Sequence, residues 1–216
     1  TSTLPRNQLI EGMETQMSEN FLITHFFNPP RYLPLLEVVS GTEVSTDTLS
    51  AFCEFADIKL GKQVILCNDT PGFIGNRLGV FHVQRSINAT IARGLTIEEA
   101  DSMLGRPIGH PKTAVFGLLD LVGLDLIPHI LGSLQNNLDE NDPFKKHMKN
   151  QELLQGMIED GWVGRKGKGG FYRLNKEGGK RIKEARNLKT GEYAPVNRKA
   201  SFSSAKLGKQ GISKLI

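Results

Sequence analysis

Two residues could do chemistry together. His25 ends a short apolar run, Phe21 to Phe27, and Asn28-Pro29-Pro30 follows it. Glu37 is the single acid in the apolar stretch Leu33 to Val39. The prolines end the first run and stiffen the turn. A hairpin centred near Arg31 would set His25 opposite Glu37, within hydrogen-bond reach of about 2.6–3.2 Å. A carboxylate in an apolar strand is costly unless paired. Paired with one imidazole nitrogen, it would fix the tautomer and leave the other nitrogen to accept a proton, as a general base does. Read singly, His25 fits a core histidine with a backbone partner, and Glu37 fits an outward-facing edge residue. Residue chemistry alone favours that plainer reading.

Other chemistry is sparse. Cys53 and Cys67 sit among apolar neighbours and read as reduced thiols of a cytoplasmic protein. No metal is expected, because no His or second Cys stands at ligand spacing. The chain has no apolar run of about 18 residues, so no membrane span is expected. It opens Thr-Ser-Thr-Leu, with neither region of a signal peptide. A first residue other than Met points to a fragment, with a processed chain as the alternative. Residues 1–161 hold 12 basic and 20 acidic residues, and residues 162–216 hold 15 and 3. That basic end could be a solvated tail, a surface for phosphates such as those of coenzyme A, or a nucleic-acid surface. It lacks the interleaved aromatics of a nucleic-acid platform, so the last is ranked lowest.

The elements that must position these residues change type along the chain. Phe21 to Phe27, Leu33 to Val39 and Lys62 to Cys67 read as strands, with a helix over Asp47 to Leu60. Three strands are few for a free-standing sheet, so residues 1–69 read as the tail of an α/β sheet. Thr70-Pro71 predicts the start of a helix that runs to Arg93, with Ile74/Leu78/Phe81 and Val80/Val83/Ile87/Ile91 as two apolar stripes. Thr96 and Glu99 form a capping box. Lys112 to Val122, Leu126 to Leu138, a start at Asp142-Pro143, and Glu152 to Glu159 complete an all-α domain. A weak helix is predicted over Lys176 to Arg186, with a basic tail or linker over 186–216.

Several motifs, taken in order, resemble the 3-hydroxyacyl-CoA dehydrogenase family. They are His25-Phe26-Phe27-Asn28-Pro29, Leu36-Glu37-Val38, Asp69-Thr70-Pro71-Gly72-Phe73-Ile74-Gly75-Asn76-Arg77, Gly117 to Asp125, and Gly169-Gly170-Phe171-Tyr172. The resemblance runs to about residue 173. It implies the last strands of a truncated Rossmann-like, NAD-binding domain over 1–69. It implies an all-α domain like the 6-phosphogluconate dehydrogenase C-terminal domain over 70–185. The tail looks like a connection into a further region of a longer multidomain relative.

The resemblance also implies roles. His25 would be the general base and Glu37 its orienting partner. Asn76 would assist catalysis and touch the substrate, and Ser2 would touch substrate and cofactor. Asn28 and Lys166 would contact NAD. Each has a plainer reading: Asn76 a helix cap, Asn28 a turn support, Ser2 a frayed end, Lys166 a solvated loop. The family's Gly-x-Gly-x-x-Gly turn, which cradles the pyrophosphate, does not occur before His25, and Gly164 to Gly170 precedes no helix. The chain alone is therefore expected to be inactive. The function implied is oxidation of L-3-hydroxyacyl-CoA with NAD in fatty-acid β-oxidation, by a homodimer joined through the helical domain. Competing readings are another hydroxyacid dehydrogenase of the superfamily and a non-catalytic helical dimerisation module.

Overall fold

In the computed structural model, which describes residues 2–197 and 202, the chain forms two units. They are Thr1–Phe81 with Gly132–Glu140, and His82–Leu131 with Asn141–Ile216.

The first unit opens with two one-turn helices, α1 (Arg6–Leu9) and α2 (Thr15–Ser18). Three strands follow: β1 (Ile23–Phe26), β2 (Leu35–Val39) and β3 (Gln63–Cys67). They form one sheet in that order, β1 antiparallel to β2 and β2 parallel to β3. A parallel step needs a crossover. Here it is α3 (Thr46–Glu54), capped by Ser45 and continued by a wider turn through Phe55–Lys59. Alternation along β2 divides its side chains between two faces. Leu36 and Val38 pack with Ala56, Leu49, Phe52 and Val64. Val39 packs with Ile23, Phe73, Leu9, Phe21 and Cys67. Both faces are covered, so Glu37, between Leu36 and Val38, is buried too.

The long helix α4 spans Gly75–Ala92, not 70–93. Residues 71–74 form a turn in which Gly72 and Phe73 have φ of 78° and 47°. The reason is a long-range partner. The amides of Ile74 and Gly75 donate to Glu37, which does the work expected of a local hydroxyl cap.

In the second unit the Thr96–Glu99 capping box opens α5 (Ile97–Leu104) as expected. Then come α6 (Phe116–Val122), α7 (Leu126–Asn137), whose residues from Gly132 on belong to the first unit, and α8 (Gln151–Glu159). The start expected at Asp142-Pro143 yields one 3-10 stretch, Pro143–His147. The core is built on Phe116 and Phe171, whose rings meet edge-on at 4.8 Å, with Ile97, Leu119, Leu124, Leu131, Phe144, Leu154 and Met157 buried. Removing each such side chain from water contributes about 1.5–3 kcal/mol.

The all-α expectation needs correction at its end. An antiparallel sheet of β4 (Tyr172–Asn175), β5 (Ile182–Arg186) and β6 (Tyr193–Pro195) closes the second unit. The helix expected over Lys176 to Arg186 is instead a 3-10 turn, Glu177–Gly179, followed by β5. Gly178-Gly179 disfavours a helix there, and pairing with β4 buries Glu184 and Ala185. The expected tail thus begins inside β5 and includes β6. Its residues 198–201 and 203–216 lie outside the described ones.

Candidate active site

The hairpin register pairs His25 with Glu37, as the spacing about Arg31 predicts. Their side chains meet at 2.6 Å, His25 Nδ1 to Glu37 Oε2. Glu37 is 1% exposed and the His25 side chain 11%. The other carboxylate oxygen, Oε1, accepts from Gly75 N at 2.6 Å and Ile74 N at 3.0 Å. Glu37 is thus held from both ends, by an imidazole and by the first amides of α4. Favourable helix-end charge adds to those bonds. With both its oxygens accepting, the carboxylate assigns the imidazole proton to Nδ1. Nε2 is left with a lone pair, as a base requires.

Aromatic rings frame the imidazole. Phe27 lies 4.8 Å from it, centroid to centroid, and Phe73 6.0 Å. The Cys67 thiol titrates above its ordinary range, chiefly through burial and then through the nearby Glu37 charge. The turn after His25 is braced by buried Lys62, whose Nζ donates to the carbonyls of Pro30 and of Leu33, the latter at 2.9 Å. Cys53 and Cys67 are both free thiols.

The remaining candidates fall into two groups. Asn76 is the second residue of α4, and its Nδ2 donates to the carbonyl of Ser2 at 2.6 Å. Ser2, Asn76, Glu37 and His25 therefore gather about the start of α4. Asn28 is exposed, three residues beyond His25. Lys166 belongs to the second unit, where its Nζ contacts the Asp125 carboxylate at 2.6–2.7 Å. That contact, a hydrogen bond first and a charge effect second, holds the Asp125 carboxyl below its ordinary range. Among the described residues no group of three or more His, Cys, Asp or Glu could hold a metal ion. No single helix among them is long and apolar enough to cross a membrane.

Sequence reasoning passed over several residues that pack or bond at a distance. Phe27, Phe73 and Gly75 lie inside motifs already singled out, but Phe73 reaches His25, Gly75 reaches Glu37 and Phe27 reaches Gly75 across long stretches of chain. Asp120 was missed as well, although it carries the signal that marked Glu37: one acid in an apolar run, Leu118-Leu119-Asp120-Leu121-Val122. It is 3% exposed and accepts from Phe171 N and Tyr172 N, both at 2.7 Å, so it ties the Gly117–Asp125 motif to the Gly169–Tyr172 motif. Arg6 is a third omission. It is buried, pairs with Glu43 at 2.6 Å and donates to the carbonyls of Phe21 and Ser18.

The parallel βαβ step and the helices after it describe a Rossmann-like NAD-binding domain followed by a helical C-terminal domain. Family models agree. That of the 3-hydroxyacyl-CoA dehydrogenase NAD binding domain matches residues 1–70, and that of the C-terminal domain matches residues 72–174. The chain belongs to the 3-hydroxyacyl-CoA dehydrogenase family. It is 40% identical over 205 residues to a Rickettsia prowazekii protein described as a fatty acid oxidation complex trifunctional enzyme, covering 94% of this chain and 28% of that one. A Deinococcus radiodurans protein described as a 3-hydroxyacyl-CoA dehydrogenase is 36% identical over 82% of this chain and 50% of its own length. The chain thus spans half or less of these relatives. The crystal structure of FadB2 from M. tuberculosis superposes with a TM-score of 0.71 at 32% identity, covering 81% of this chain and 59% of that one.

Proposed function

We propose that the chain carries the proton-transfer half of an L-3-hydroxyacyl-CoA oxidation in fatty-acid β-oxidation, with His25 as general base and Glu37 as its orienting partner. The observation that carries this reading is the 2.6 Å contact from His25 Nδ1 to a Glu37 carboxylate whose other oxygen is held by two amides. His25 Nε2 takes the proton of the C3 hydroxyl, and Glu37 balances the imidazolium that forms. The substrate becomes a 3-oxoacyl-CoA. NAD, when bound, supplies the hydride acceptor. Ser2, Asn28 and Asn76 are read as its contacts and the substrate's. Their hydroxyl and amide groups suit the nicotinamide end and the polar acyl-CoA head. Lys166 is read separately as a cofactor contact of the second unit. The pyrophosphate has no Gly-x-Gly-x-x-Gly turn in this sequence, which accords with residues 1–69 being the last strands of the NAD-binding domain.

The test is NADH formation from a 3-hydroxyacyl-CoA by the polypeptide that carries this chain. His25→Ala should lower kcat about 10²–10⁴-fold, the usual worth of a general base. Turnover within a factor of three of wild type, allowing for scatter between preparations, would reject the assignment.

We infer also that the protein pairs with a second copy through α4. Leu78 and Phe81 of one apolar stripe are 65% and 38% exposed, and Ile74 in the turn before the helix 43%, whereas Ile87 of the other stripe is 1% exposed. Light scattering at tens of micromolar should report a dimer, and Leu78→Lys should return a monomer. A monomeric wild type would end this reading.

A further inference from the structure

Phe27 occupies an unusual place. Its ring touches the imidazole of His25, centroids 4.8 Å apart and tilted by 54°. The Cε1–Cζ edge of the same ring fills the space a side chain at position 75 would need. A Cβ on Gly75 would stand 2.5 Å from both Cε1 and Cζ of Phe27, and 3.5 Å from Glu37 Oε1. The amide of Gly75 is one of the two that hold Glu37. One ring therefore rests on both halves of the pair, on the imidazole directly and on the carboxylate through the backbone that binds it.

We propose that Phe27 and Gly75 are positioning residues for the His25–Glu37 pair: the ring fixes the imidazole plane, and the bare Cα of Gly75 lets that ring in while keeping the Gly75 amide on the carboxylate. The chemistry is that of restraint. A histidine held only at Nδ1 can still swing about that bond. A ring against one face removes that freedom, and Phe73 at 6.0 Å lies close to the same imidazole. Side chains near a reacting group must be held by packing to about 10–20° for the geometry to be productive. A second consequence concerns sequence. Any side chain at position 75 must move the ring or the helix start, so a large ring at 27 and glycine at 75 form one linked choice.

The significance of this restraint for turnover rests on the reading of His25 as a base. The restraint itself does not, and the measurement separates the two. Side-chain ¹³C relaxation of the His25 ring in the 216-residue chain reports how firmly the imidazole plane is held, without any turnover. The wild type should show a rigid ring, with an order parameter of about 0.85. Phe27→Leu should lower it below about 0.6, while Glu37 keeps the proton on Nδ1. Gly75→Ala should lower it as well. In urea, Gly75→Ala should be much less harmful on a Phe27→Leu background than alone, because the overlap is gone; such coupling marks residues in contact. Phe27→Met, which keeps apolar volume with a flexible chain, gives the same readout should Phe27→Leu fold poorly. An unchanged, rigid His25 ring in Phe27→Leu and Phe27→Met, or strictly additive effects of the two positions, overturns the proposal. If His25→Ala leaves turnover intact while the ring loosens in the Phe27 variants as described, the base assignment fails and the positioning role stands.

Discussion

Replacing Glu37 with Gln changes one atom type in the pair and should do damage out of proportion to its size. The Glu37 carboxylate accepts three hydrogen bonds, two from amides at Oε1 and one from His25 at Oε2. Gln has a single acceptor oxygen. Placed on the Ile74 and Gly75 amides, it leaves the Gln NH₂ facing Nδ1–H of His25. Two buried donors then meet, at a cost of about 1–3 kcal/mol. The imidazole can relieve this by moving its proton to Nε2, so that Nδ1 accepts from Gln. That keeps most of the fold's stability and leaves the base nitrogen blocked. The residual loss is the charge-assisted part of the contacts, about 1–2 kcal/mol. The expected outcome is a modest drop in urea midpoint with unchanged slope, a His25 tautomer switched to Nε2–H by ¹⁵N NMR, and turnover lowered about 10²–10⁴-fold. The reasoning is refuted by a variant that keeps the Nδ1–H tautomer and wild-type turnover.

Three further outcomes follow from the same contacts. Burial pushes the Asp120 carboxyl up to about 6 against the opposing hydrogen bonds from Tyr172 and Phe171, so its folded value lies above its unfolded one. Its contribution is therefore most favourable below about pH 4 and is lost as pH rises towards 6, a change on the order of 2–3 kcal/mol. Asp120→Asn should flatten the stability profile between pH 4 and 6, and an unchanged slope in urea titrations would count against Asp120 as its source. A Cβ on Gly170 would fall on Asp120 Oδ1 and stand 2.9 Å from Gly164 Cα, whereas one on Gly156 in α8 meets nothing within 4 Å. Gly170→Ala should then cost several kcal/mol or prevent folding, while Gly156→Ala gains about 0.5–1 kcal/mol; equal thermal shifts for both would contradict the close approach. Calorimetry of the 216-residue chain with NADH should show no micromolar binding, because a few hydrogen bonds worth about 1 kcal/mol each do not offset the several kcal/mol lost on association.

Local rules carried the sequence reading a long way and then stopped at identifiable places. His25 and Glu37 were legible because a hairpin is a short-range object: twelve residues, a proline turn and a period of two suffice to set one side chain against the other. The Thr96–Glu99 capping box was legible for the same reason. The start of α4 was not. Thr70-Pro71 is a good local start, but Glu37, more than thirty residues earlier, offers two amides a better partner and moves the start to Gly75. Likewise Lys176 to Arg186 has no decisive local preference, and strand pairing with Tyr172–Asn175 decides it. Asp120 is, like Glu37, one acid in an apolar run, yet it was passed over, and its partners lie 51 and 52 residues further on. The sequence determined by itself the first three strands, the helices with clear local signals, and the facing of His25 and Glu37 across a hairpin. Tertiary structure decided which amides a buried carboxylate holds, where a helix begins and which ring presses on the base, because a buried polar group takes the partner that packing brings to it and not the one nearest in the chain.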